Sequence, residues 1–237
     1  MLFRSMSKAS ATRSLPLAIR SAFPHGMIAS SSAGQSAALQ SKVLARDGHT
    51  CVYCGFKAER FQVVRPLNID GVARAAKADD WVTTCHMCDQ CLSLERVGMM
   101  GEGILIWLPE MTQPQLNNTL RALYVARAAE GEAAETAKRC LEAIKGRRDE
   151  AKRRLGTDDP MVLATVFADH LTETEYLERM DKLEGIRLFS LDRRLQRSAT
   201  GEVDRFPDML AYWRSKGGPF GNMPVANWRN LLERLAG

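Results

Sequence analysis

Five of the six cysteines in this 237-residue chain lie between Cys51 and Cys91. They are arranged as Cys51-x-x-Cys54, a 30-residue span from 55 to 84, and then Cys85-x-x-Cys88 with Cys91 close behind. A CxxC pair turns both thiolates to one side of a tight turn, so two such pairs supply the four sulfur ligands of one tetrahedral ion. Zinc is the ion such a set suits best, because it accepts a closed tetrahedral thiolate site and brings no redox chemistry. Gly55 directly after Cys54 fits the sharp turn past the ion, where positive φ is needed. A scatter of inert core thiols would rarely cluster in this way. Metal spacing also points to a reducing compartment rather than to a disulfide scaffold. Five thiols compete for four places. Cys51, Cys54, Cys85 and Cys88 are the expected zinc ligands, and the alternative is Cys91 in place of Cys85, since Cys88 and Cys91 also form a CxxC.

The 30-residue span is longer than in a simple zinc ribbon, so folded structure should fill it. Residues 61–64 read as a strand and residues 68–71 as a turn with Gly71 at its tight position; residues 72–80 read as a polar loop. Cys85 should open a helix running to about residue 97, where unpaired N–H groups favour thiolate. Knuckle, hairpin, loop and helix follow in the order of a treble-clef zinc fold. Upstream, Ala38, Leu39, Val43 and Leu44 repeat at helical spacing within residues 35–47, and Gly48 ends that helix. Residues 15–20 read as a short edge strand, and residues 1–14 as a disordered arm.

Downstream, residues 104–108 read as a buried strand. The glycines of 98–103 do not make a phosphate loop, because no Gly-Lys-Ser/Thr follows them. The second half is helical. Thr112 and Gln115 form a capping box ahead of a stripe of Leu116, Leu120, Leu123, Tyr124 and Ala128. A long helix over 133–155 carries Cys140, a lone helical thiol expected in the core. Asp159 with Pro160, and Thr172 with Glu175, start two more helices. Elements over 207–215 and 225–236 close the chain, the last with Trp228, Leu231, Leu232 and Leu235 on one face.

With 45% hydrophobic and 26% charged residues the composition is that of an ordinary soluble domain. The longest apolar run, residues 104–108, is far short of the roughly 18 residues that span a bilayer. The net charge of +5 is local: residues 1–46 hold six basic residues and no acid, leaving about −1 for the rest. A charge confined to one arm does not describe a DNA-binding face. The basic runs at 145–148 and 152–154 are interrupted by Asp149 and Glu150, as on a solvated helix face. The arm's Ser- and Ala-rich composition is also that of an organellar transit peptide.

A CxxC knuckle, a hairpin with an Asp-Gly turn and a second CxxC at a helix start together resemble the zinc-bound HNH nuclease fold. Members that cut DNA carry a histidine base just before the Asp-Gly turn and a histidine or asparagine near the second knuckle. Leu67 or Asn68 stands at the first position and Asp89 at the second. Neither Leu67 nor Asn68 takes a proton from water near neutral pH. The resemblance therefore implies an HNH scaffold without catalytic residues. Two other readings remain open: a metal-dependent nuclease using Asp70 and Asp89 for a second ion, and a zinc-dependent nucleic-acid binder using the basic arm.

A closer resemblance covers roughly residues 15–190. The runs RDGHTCVYCGF (46–56), VTTCHMCDQC (82–91) and LPEMTQPQLN (108–117) resemble the IcmJ/DotN family of the Dot/Icm type IVB secretion apparatus. Because it takes in part of the basic arm, it argues against a cleaved presequence. It implies a non-enzymatic, zinc-stabilised subunit of the coupling complex, cytoplasmic and held at the inner membrane only through that complex. Its implied partners are the C-terminal tail of the coupling ATPase, which receives effectors, and other coupling-complex subunits; no small-molecule substrate is implied. The resulting fold class is α+β, a treble-clef/HNH-like zinc-binding core with a helical C-terminal half. The corresponding organisation is an arm over 1–14, a zinc-binding domain over 15–110, a helical region packed on it over 111–190 and a helical extension over 191–237.

Overall fold

The computed structural model describes residues 13–19, 37–67, 78–198, 201–223 and 225–228. Most of the arm over 1–14, the turn over 68–71 and most of the segment over 225–236 lie outside the described residues.

Helix α1 (Ala37–Arg46) leads the chain to the first knuckle. Of its expected apolar set only Val43 is buried, and Gly48 at φ 55° ends it as the His49 N–H returns to the Leu44 carbonyl. Strands β1 (Gln62–Pro66) and β2 (Trp81–Cys85) pair antiparallel, with Gln62 opposite Cys85. The single helix expected after Cys85 is instead two, α2 (His86–Cys91) and α3 (Leu94–Met99). The reason lies in residues 15–19. They form no strand; they run largely buried past the break, where the Ala18 N–H donates to the Cys91 carbonyl and the Leu94 N–H to the Ala18 carbonyl. The incoming segment satisfies backbone groups that an interrupted helix leaves open.

Strand β3 (Gly103–Trp107) follows, then α4 (Gln113–Arg127), whose Thr112/Gln115 capping box is present as the sequence indicates. The expected long helix over 133–155 is divided into α5 (Glu132–Lys145) and α6 (Arg148–Leu155). Arg147 makes the division: its carbonyl accepts from the Trp107 N–H and its Nε donates to the Trp107 carbonyl, which fastens the turn to the end of β3. Cys140 on α5 is exposed rather than in the core, because α5 turns only Ala134, Ala137 and Leu141 inward.

Helices α7 (Pro160–Asp169), α8 (Glu173–Leu177) and α9 (Arg179–Lys182) come next. Asp159 caps α7 through the Met161 N–H, and Thr172 and Glu175 form the second capping box. The helical expectation then gives way to strand. Strand β4 (Ile186–Ser190) pairs antiparallel with β3, joining Gly103 to Ser190 at one end and Trp107 to Ile186 at the other, and β5 (Leu195–Ser198) pairs with β6 (Gly201–Asp204) as a hairpin. Helix α10 (Phe206–Arg214) sits against α4 through Tyr124 and Phe206, whose rings meet edge-on at 5.1 Å. The fold class is α+β, the described residues forming helices and three two-stranded antiparallel sheets.

One hydrophobic core runs from Leu15 through the cysteines to Trp213. Helices α3 and α7 meet closely at Gly98 of α3, where an added Cβ would collide with the backbone of Met161 on α7. Gly98→Ala is expected to force the two helices apart and to destabilise by about 1–3 kcal/mol, read as a lower urea midpoint at unchanged slope.

Candidate metal centre

The first knuckle is held by its own backbone. The Gly55 N–H donates to the Cys51 carbonyl, Gly55 stands at φ 71°, and the Cys51 N–H closes the turn on the Phe56 carbonyl. The Val52 N–H donates to the Thr83 carbonyl, which joins this knuckle to β2. Gln62 spans it from below, its Nε2 donating to the carbonyls of His49 and Phe56. The second knuckle begins where β2 ends: Cys85 is the N-cap of α2 and Cys88 lies in its first turn.

These constraints bring the sulfurs of Cys51, Cys54, Cys85 and Cys88 within 4.8 Å of one another, all four buried, with Cys54 and Cys85 at 3.5 Å. A tetrahedral zinc with Zn–S bonds of about 2.3 Å places its sulfurs about 3.8 Å apart, so the spacing suits a zinc ion. Among the described residues this is the one group of three or more His, Cys, Asp or Glu side chains arranged to hold a metal. Cys91 is not in it. Its thiol donates to the Met87 carbonyl 3.4 Å away and lies 3.9 Å from Asn117 Nδ2.

The thiols perturb one another. Burial, with the neighbouring thiols, pushes Cys88 well up, whereas hydrogen bonds from Cys51, Cys85 and Cys88 hold Cys54 down. Burial pushes the Cys91 thiol up. A divalent ion removes the conflict by making all four thiolates favourable at once.

Helix α4 supplies two residues that the sequence reading assigned no role. Asn117 Nδ2 donates to Cys88 Sγ at 3.3 Å, and Arg121 Nη2 donates to Cys85 Sγ at 3.2 Å. Both are fully buried, one helical turn apart, within the stripe of Leu116, Leu120 and Tyr124. That polar interruption of an apolar face was the available signal. Four thiolates around Zn²⁺ carry a net −2, and donors of this kind offset it. Arg121 is itself held between rings, 3.7 Å from the Phe56 centroid and 5.7 Å from that of Trp213 on α10. Arg121→Met, which keeps the bulk without the charge, is expected to weaken zinc binding about 10- to 100-fold in chelator competition.

The other histidine and aspartate candidates have structural surroundings. His86 is buried and its imidazole is pushed down to about 4, chiefly by burial, so it is neutral at pH 7. Asp89 is buried in an ion pair with Arg65 of β1, and its other oxygen lies 3.8 Å from Arg194. Arg65 and Arg194 thus hold the carboxylate that the nuclease reading gave to a second ion. Asp70 and Asn68 lie outside the described residues.

Beside Asp89 lies a buried hub. Glu102 accepts from both Nη atoms of Arg96 at 2.7 and 3.0 Å, from Arg194 Nη1 at 2.8 Å, from the Leu195 N–H at 2.7 Å and from Gln90 Nε2 at 3.3 Å. It is 0% exposed. The network ties the helix of the second knuckle to the chain beyond residue 190.

No protein-family model matches the chain. It is 33% identical over 153 residues to the Type 4 apparatus protein DotN of Legionella pneumophila subsp. pneumophila, an alignment covering 63% of this chain and 70% of the relative. The chain belongs to the DotN family. In this DotN-family protein the runs that carry the resemblance occupy the metal centre itself: residues 46–56 form the first knuckle, residues 82–91 the second, and residues 108–117 end on Asn117.

Proposed function

We propose that this DotN-family chain is a non-enzymatic, zinc-stabilised structural subunit of the coupling complex of a type IVB secretion system. In this reading it binds the C-terminal tail of the coupling ATPase and supports effector recruitment, in the cytoplasm and peripheral to the inner membrane. The observation that carries it is the 33% identity to a type 4 apparatus protein over 70% of that protein's length. Cys51, Cys54, Cys85 and Cys88 would hold Zn²⁺ in a treble-clef, HNH-like arrangement, the second knuckle opening α2 directly after the β1–β2 hairpin. The ion would act as a cross-link between two knuckles far apart in sequence. Asp89 engaged by Arg65, and Leu67 or Asn68 where a base would stand, support a scaffold role. Among the described residues no helix is long and apolar enough to cross a membrane, which suits attachment through partners.

The test is co-expression with the C-terminal tail of the cognate coupling ATPase, followed by size-exclusion chromatography and metal analysis of the peak. A stoichiometric, zinc-containing complex is expected. Separate elution of two folded chains in the presence of zinc would defeat the reading, as would plasmid nicking by this chain with Mg²⁺ or Mn²⁺.

A further inference from the structure

An open groove of about 680 Å³ lies between residues 13–17, the first knuckle and the start of α4. Leu15, Leu17 and Ile186, all buried, line it with apolar surface. Three donors line it as well. Arg13 is exposed, its N–H on the Val52 carbonyl, and its guanidinium pairs with no carboxylate among the described residues. Arg187 donates from Nε to the Met111 carbonyl at 2.7 Å and from Nη1 to the Ile186 carbonyl at 2.8 Å, which leaves Nη2 without an acceptor among the described residues. Burial pulls this guanidinium down from its usual value; Glu184 opposes the shift but makes no ion pair with it. Tyr53 is 3% exposed, yet its hydroxyl has no hydrogen-bond partner among the described residues. Polar groups on side chains buried to this degree ordinarily have one. No acidic residue lines the groove. Cys54 does line it, and the charge of Arg121 reaches that thiol and offsets its thiolate. The first turn of α4 forms another wall and adds the positive end of its dipole.

We propose that this groove is the docking site for an acidic segment of a partner protein, whose carboxylates are taken by Arg13, Arg187 and Tyr53 while its apolar side chains cover Leu15 and Ile186. Charge complementarity decides the occupant. This chain's own undescribed segments do not supply it. Residues 1–12 and 20–36 hold three basic residues and no acid; residues 68–77 hold one acid and two basic residues, as do residues 229–237. Each segment is net positive, and the lone acids Asp70 and Glu233 bring Arg74 and Arg234 with them. A membrane surface or a nucleic acid calls for a continuous cationic face. Two guanidinium groups and a phenol beside apolar residues in a recess instead suit carboxylates on a peptide. The inference rests on the subunit reading only for the expectation that a protein partner exists.

The test uses the full zinc-loaded chain and two labelled peptides of about eight residues, each with two leucines, the rest glutamate in one and lysine in the other. Fluorescence anisotropy is expected to show binding of the glutamate peptide alone, weakened by salt. Arg13→Glu with Arg187→Glu should transfer binding to the lysine peptide. Because Arg187 also holds two carbonyls, Arg13→Glu by itself is the cleaner variant, and it should weaken the glutamate peptide at least about fivefold at unchanged Tm. Tyr53→Phe should weaken it by about 2- to 10-fold. Equal binding of both peptides, no binding, or indifference to the arginine substitutions would overturn the proposal. So would inorganic phosphate bound as tightly as the peptide, or a dimer of the peptide-free chain that Arg13→Glu dissolves. These peptides carry no secretion-system sequence, so their failure leaves the ATPase-tail reading standing, and failure of the tail to bind leaves this groove standing.

Discussion

Cys88→Ser is expected to reduce zinc from one ion per chain to near zero and to unfold far more than the knuckles. Structural zinc sites of this class contribute about 10–16 kcal/mol of apparent binding free energy, whereas whole domains are stable by about 5–15 kcal/mol. Loss of one thiolate is therefore enough to remove the folded state. Because the core is continuous from Leu15 to Trp213, the loss should be cooperative and should reach α4 and α10. Elemental analysis and thermal unfolding read both effects, and Cys54→Ser should behave alike. Cys91→Ser, by contrast, should keep the ion, since its sulfur faces Met87 and Asn117. Full zinc occupancy with unchanged Tm in Cys88→Ser would sink the assignment. Acidification should release the ion from the native protein as protons compete for the thiolates.

Replacing Glu102 by leucine should cost about 3–5 kcal/mol, because it removes the carboxylate from two guanidinium groups that stay largely buried. Arg96 and Arg194 side chains are 21% and 11% exposed, so water compensates little, and the Leu195 N–H loses its acceptor as well. The damage should concentrate beyond residue 190, where Arg194 anchors the β5–β6 hairpin. Limited proteolysis should cut residues 195–214 sooner in the variant. Glu102→Gln, which keeps an acceptor for Leu195, should lose less. Equal proteolysis of wild type and Glu102→Leu would show that the hub does not hold the extension.

The cysteine pairs, Gly55, the two capping boxes, and Asp159 with Pro160 were legible because each is a local device whose partners lie within a few residues. The helix breaks were not. The α2–α3 break depends on residues 15–19 arriving from about 75 positions earlier, and the α5–α6 break depends on Trp107 receiving Arg147. Cys140 was misplaced for a related reason: α5 has several small apolar residues, and only tertiary packing chooses which of them turn inward.

By itself the sequence determined that thiols at paired spacing would gather in one cluster of the kind that suits a metal ion, and that the chain resembles the DotN family. CxxC spacing dictates local geometry, and shared runs of residues need no coordinates. Only the tertiary structure decided that Cys85 rather than Cys91 completes the four-sulfur group, that Asn117 and Arg121 donate to it, and that α10 closes over Arg121 through Trp213. Each of those contacts joins side chains from separate elements, and hydrophobic burial, which brings the elements together, is non-directional. Nothing in the spacing along the chain records which polar groups end up inside with the four thiols.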